Sequence, residues 1–128
     1  MDNSASKIDL ARLIFTSLNS RDLSELEYYL AESASLDFPG AGCLKGKKRV
    51  LVFFKVLFRR YPQLEFTVEE VISEGGRACV LWNNKGQNSK GNPYKNHGIT
   101  FVKLEQGKII FISDFFKDTS FVESSKAL

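Results

Sequence analysis

The chain has one histidine and two cysteines in 128 residues. Neither Cys43 nor Cys79 stands at metal-ligand spacing, and no His/Cys/acid cluster does, so no metal site is expected. Two scattered thiols fit a reduced, cytoplasmic protein, and the spacing leaves a Cys43–Cys79 disulfide open. No apolar run approaches the ~20 residues that span a bilayer, so no membrane partner is expected. The opening Met1-Asp2-Asn3-Ser4-Ala5-Ser6 lacks the apolar core of a signal peptide. A complete nucleotide loop is missing as well. In Gly42-Cys43-Leu44-Lys45-Gly46-Lys47-Lys48 the glycines are one residue too close, and Lys48 stands where Ser or Thr is required. Gly40-Ala41-Gly42 lacks the third glycine of a dinucleotide loop. No cofactor is therefore expected. Nor is there a strong excess of charge: 18 basic residues face 15 acidic ones, for a net +3. Lys45, Lys47, Lys48 and Arg49, then Arg59 and Arg60, cluster locally. Without a nucleic-acid motif beside them they read as the solvated face of a helix, and no nucleic-acid partner is expected. With no repeat and no linker, residues 1–128 read as one domain.

What the sequence does hold is enough hydrophobic residues, 43%, to form a core. Leu10, Ile14 and Leu18, with Ala11 and Phe15 beside them, predict a helix over Asp9–Asn19, and Ser6 is its expected N-cap. Asp22-Leu23-Ser24-Glu25 reads as a capping box opening a second, short helix with Leu23, Leu26 and Leu30 on its apolar face. Ser35-Leu36-Asp37-Phe38 alternates and stops at Pro39-Gly40, which predicts a short strand and a loop. Gly46–Tyr61 is the longest helix, with Val50, Phe54, Leu57 and Tyr61 at helical spacing; Pro62 ends it. Strands follow: one through Leu64, Phe66 and Val68, a turn at Gly75-Gly76, then Arg77–Asn84. A polar loop covers Lys85–Pro93. Tyr94–Leu104 and Lys108–Phe116 form a final hairpin around Glu105-Gln106-Gly107-Lys108. The tail after Asp118 is expected to be loose or a short cap. Helices first and a meander after them make an α+β fold.

Asp114 lies among Ile110, Ile112, Phe115 and Phe116. A carboxylate in so apolar a strand must be desolvated, paired or functional. It serves either a pocket or a structural role, accepting hydrogen bonds from Tyr94, Asn96 or backbone amides. Asp37 falls on the opposite face from Phe38 and reads as a surface acid.

The order helix, helix, short strand ending in Asp-Phe-Pro-Gly, long helix and meander resembles the NTF2-like superfamily. Within it the chain is similar to the SnoaL-like proteins, related to polyketide cyclases and ketosteroid isomerase. The matching segments are Val71-Ile72-Ser73-Glu74-Gly75-Gly76, Gly91-Asn92-Pro93-Tyr94-Lys95-Asn96-His97-Gly98, and Gly107-Lys108-Ile109 with Asp114-Phe115-Phe116. The resemblance implies a cone: three N-terminal helices packed in a strongly curved antiparallel or mixed sheet, commonly a homodimer through the sheet's outer face. Fold alone does not select an activity.

Residue by residue, the resemblance excludes some chemistry. Ketosteroid isomerase uses a carboxylate base with a tyrosine and a protonated aspartate. Those places fall at Phe38, near Ile14 and near Ile99, all apolar. An epoxide-hydrolase arrangement needs an arginine and a second aspartate where Trp82 and Asn84 stand. A cyclase-like acid/base aspartate on the last strand matches Asp114, and His97 on the neighbouring strand is its expected partner. Which of Asn96 and His97 points inward depends on whether a bulge intervenes. The expected ligand contacts are Ile14, Phe38, Phe54, Trp82, Asn84, Tyr94, Asn96 and Ile112. The expected partner is a small apolar molecule with one or two polar groups. Three readings follow: an isomerase, cyclase or dehydratase using Asp114; a non-catalytic carrier or sensor; or an interaction module using the outer sheet face.

Overall fold

The computed structural model describes residues 6–88 and 90–118. Helix α1 runs Lys7–Ser20, and Ser6 caps it as expected, its Oγ accepting from Asp9 N at 3.1 Å. It ends at Arg21, which takes a left-handed conformation. Helix α2 is one short piece, Ser24–Tyr29. The Asp22 carboxylate accepts from both the backbone and the hydroxyl of Ser24, at 3.0 and 2.7 Å. Leu30 is not on that helix: it opens strand β1, Leu30–Phe38, which is longer than the expected Ser35–Phe38. A tight turn closed by Ala41 N to Phe38 O (3.0 Å) leads into β2, Gly42–Lys45. The sequence alone predicts a loop there. Its glycine spacing serves a turn and a hairpin rather than a phosphate, because the backbone of β2 is paired with β1. Helix α3, Lys47–Arg60, and strands β3 (Glu65–Glu74), β4 (Arg77–Gln87), β5 (Pro93–Glu105) and β6 (Lys108–Phe116) complete the order. Strands β4 and β5 pair as far as Gln87 with Pro93, so most of the expected Lys85–Pro93 loop is ladder. The last turn holds Gln106 and Gly107 at φ 52° and 75°, the two positive φ values of a type I′ hairpin.

The six strands form one sheet in the order β2-β1-β6-β5-β4-β3, antiparallel except for β1 beside β6. The fold is thus mixed α+β with helices against a curved sheet, as expected. Register shifts interrupt three ladders: between Leu30 and Ser35, Val68 and Glu70, and Lys103 and Leu104. Such irregularities bend a sheet and increase its twist. The sheet wraps helices α1 and α3, whose Leu10, Ile14, Val50, Phe54 and Leu57 are buried. They meet the inward row of β1, β4, β5 and β6: Leu36, Phe38, Val80, Trp82, Val102 and Ile112. Polar contacts fix the helices to the edge strand. Asn19 Nδ2 donates to Phe66 O at 2.9 Å, and Asn19 Oδ1 accepts from Phe66 N at 2.7 Å, as a neighbouring strand would do. Arg21 donates to the carbonyls of Tyr61 and Leu64 and lies over the Phe58 ring.

Candidate functional site

The inward row of the sheet and the buried faces of α1 and α3 enclose a cavity. Alternation along β4 turns Trp82 and Asn84 into it; along β6 it turns Ile112, Asp114 and Phe116 inward. Phe38 comes from the end of β1, Ile14, Phe15 and Leu18 from α1, Phe54 and Leu57 from α3, Leu64 and Phe66 from the start of β3, and Tyr94 from β5. Aromatic rings frame it in a continuous run. Phe15, Phe66 and Trp82 contact one another at centroid distances of 5.2–6.3 Å; Phe116 joins Trp82 at 5.9 Å and Phe38 at 5.2 Å. The free volume is about 30 Å³. On this measure one buried water needs roughly 10–15 Å³. The cavity therefore takes a water or two as it stands, and a ring-sized molecule enters only if the walls give way.

Among the described residues Asp114 is the only carboxylate lining the cavity. Its Oδ1 accepts from Thr100 Oγ1 at 2.5 Å, and Thr100 Oγ1 accepts from Trp82 Nε1 at 2.9 Å. Burial penalises the charged carboxylate, the Thr100 hydrogen bond opposes that, and the negative Asp37 adds to it. The net result is a pKa raised to about 6. Asp37 itself is exposed on the outer face, as the alternation implies. Asn84 is 5% exposed and its Oδ1 is buried without a hydrogen-bond partner. An unmet acceptor of this kind costs on the order of 1–3 kcal/mol and is relieved by any donor that reaches it. Tyr94, also in the lining, has its hydroxyl pushed well above its ordinary pKa by burial. Among the described residues the lining holds no lysine, arginine or histidine.

The structure brings Ile14, Phe38, Phe54, Trp82, Asn84, Tyr94, Ile112 and Asp114 together at this cavity. It does not bring His97 there. Asn96 and His97 sit at consecutive positions of an uninterrupted stretch of ladder, so one is inward and the other outward. Asn96 is buried and His97 is exposed. Asn96 lies outside the lining: its Nδ2 donates to Tyr94 Oη (3.0 Å) and to Asp118 O (3.1 Å), and its Oδ1 accepts from the amides of His97 and Asp118. It pins the chain end of the hairpin instead of facing a ligand. The place assigned near Ile99 needs the same one-residue correction: Ile99 is 41% exposed and the inward residue is Thr100, 1% exposed and polar. Thr100, hydrogen-bonded to both Asp114 and Trp82, is the residue of the candidate site that the sequence does not single out. Its only signal was the alternation Asn96, Gly98, Thr100, Val102 opposite Trp82 and Asp114, legible once the strand register is known.

Among the described residues no group of three or more His, Cys, Asp or Glu side chains is placed to hold a metal ion, and no helix is long and apolar enough to cross a membrane. No curated protein matches the sequence. Several solved structures share the fold. A protein of unknown function from Xanthomonas campestris with a cystatin-like fold superposes with a TM-score of 0.83 at 19% identity, covering 95% of this chain and 98% of that one. A SnoaL-like protein from Jannaschia sp. CCS1, provisionally described as a polyketide cyclase, gives 0.82 at 17% identity over 100% and 96% of the two chains. IdmH from Streptomyces antibioticus, with the same provisional description, gives 0.80 at 16% identity over 97% and 100%. Identities this low bear on the fold alone. The family model described as the SnoaL-like domain matches residues 11–112, most of the length, and the chain therefore belongs to the SnoaL-like domain family.

Proposed function

We propose that this SnoaL-like domain binds a small, neutral, largely apolar molecule in the aromatic cavity and moves a single proton on it through Asp114, as an isomerase, cyclase or dehydratase does. The observation that carries the reading is the state of Asp114: a desolvated carboxyl, one oxygen engaged by Thr100, on the wall of a cavity whose other described lining residues are apolar except for Asn84 and Tyr94. A base poised near neutrality is efficient in proton transfer, and burial puts Asp114 in that range. Asn84 Oδ1 supplies the second polar contact, accepting an O–H or N–H of the ligand. Among the described residues no cation stands in the lining to offset the desolvation of an anionic ligand, which favours a ligand that is neutral on binding. His97 has no part in this reading. The relatives provisionally described as polyketide cyclases are in keeping with it.

The test uses 2-tetralone, a neutral bicyclic ketone whose benzylic C1–H is acidic. In D2O, Asp114 as base takes the C1 proton, and return of a deuteron to the enolate labels that carbon. Wild-type protein is expected to accelerate the exchange, read by proton NMR, roughly 10²–10⁴-fold over Asp114→Asn. The wild-type rate should rise with pH through about 6 and level off above it, because the base must be ionised. Equal exchange rates for the two proteins over that pH range refute the assignment.

A second reading has its own observation. The free space is small, and the outer sheet face exposes Ile72, Ile99 and Phe115. These favour a role for that face in pairing with a second copy of the chain, alone or together with the cavity.

A further inference from the structure

We propose that Thr100 is the positioning residue of this site: held between Trp82 and Asp114, its hydroxyl occupies one carboxyl oxygen and leaves the other, Oδ2, to carry and exchange the proton. Its consequence for turnover rests on the reading of Asp114 above; its geometry does not.

The argument is one of donors and acceptors. The indole Nε1–H of Trp82 can only donate, so Thr100 Oγ1 must accept at 2.9 Å. The threonine hydroxyl has one hydrogen left. Thr100 is 1% exposed, so that hydrogen needs a protein acceptor, and Asp114 Oδ1 at 2.5 Å is the acceptor within reach among the described residues. The direction of the chain is therefore set: Trp82 to Thr100 to Asp114. With Oδ1 accepting, a proton arriving on the carboxyl resides on Oδ2. Without Thr100 either oxygen takes it, and the carboxyl is free to rotate.

Gly98 makes the arrangement possible. It lies opposite Trp82 in the ladder, and a Cβ built there stands 2.4 Å from Trp82 Cζ2 and 2.5 Å from Phe115 O. No side chain fits. The indole lies across the bare backbone at Gly98, and from there its N–H reaches Thr100. Among the described residues the other titratable groups near Asp114 are Tyr94 on β5, which lines the same cavity, and Asp37 on β1, which acts from the outer face. Helices α1 and α3 turn only hydrocarbon toward it, through Ile14, Phe54 and their neighbours.

Trp82 is the only tryptophan of the chain, so its indole N–H gives a single resonance. In the wild type that resonance is expected to shift with pH at the same midpoint as the Asp114 carboxyl carbon, and to stop titrating in Asp114→Asn. Thr100→Val removes the donor to the charged form, so the carboxyl midpoint moves up and the indole resonance no longer follows it. Thr100→Ser restores both. An indole resonance that ignores the carboxyl titration in the wild-type protein overturns the proposal, with no need for a variant to fold. So does a Thr100→Val protein with an unchanged midpoint. Coupling without 2-tetralone exchange sinks the proposed function and spares the relay; exchange without coupling does the reverse.

Discussion

An acid enclosed by hydrocarbon holds its proton more tightly than one in water, and the cost of ionising it appears in the stability of the fold. Asp114 binds its proton up to about pH 6 when folded, against 3.8 for an unperturbed aspartate. Between these values the folded chain carries more protons than the unfolded one, so stability falls as pH rises through the window and levels off above it. The two-unit difference corresponds to at most about 3 kcal/mol. Asp114→Asn removes the ionisation but keeps an oxygen to accept from Thr100. The variant is expected to melt several degrees above wild type at pH 8, with the gap closing by pH 4. Thermal melts at the two pH values check this; a gap that does not change with pH contradicts the assignment.

At the scale of elements, the β4–β5–β6 meander does the positioning. Its two-residue alternation sends Trp82, Asn84, Thr100 and Asp114 to one side and Asn83, His97 and Ile99 to the other. One residue of slip exchanges the two sets, which is why the ladder register decides the site. Of the glycines in this meander, Gly98 is the one where an added Cβ meets its neighbours most closely. Gly98→Ala forces a methyl against the indole and the Phe115 carbonyl, and overpacking of this kind typically costs about 1–3 kcal/mol. The expected outcome in chemical denaturation is a lower midpoint together with a displaced Trp82 indole resonance. A variant as stable as wild type, with its indole signal in place, rules out the tight seat described for Trp82.

At the scale of the molecule, the inner and outer sheet faces differ in kind. The inner face is closed over by α1 and α3. The outer face runs Leu81, Ile99 and Phe115 side by side across three strands, with Ile72 nearby; Ile99 and Phe115 are 41% and 60% exposed. Another copy of the chain presents the same stripe, and a two-fold contact would bury both. Wild-type protein is expected to run as a dimer by light scattering, and Phe115→Asp as a monomer that retains its secondary structure. A monomeric wild type removes this proposal and leaves the cavity reading as it was.

Much of this was legible in the residues in order. Helical spacing of Leu10, Ile14 and Leu18, and of Val50, Phe54 and Leu57, determined two helices and their buried faces, because burying a stripe requires that period. Alternation and turn residues determined the last hairpin, and an acid among apolar neighbours marked Asp114. These are local properties, set by neighbours within a few positions. What tertiary structure alone decided is non-local. Strand β2 is four residues with no strand-like burial pattern, formed because β1 offers it an edge. The inward choice of Asn96 over His97, and of Thr100 over Ile99, follows from pairing with β4 and β6, which no single strand reveals. The hydrogen-bonded line from Trp82 through Thr100 to Asp114 crosses three strands and spans 32 positions of sequence, so it exists only once the sheet has brought those strands side by side.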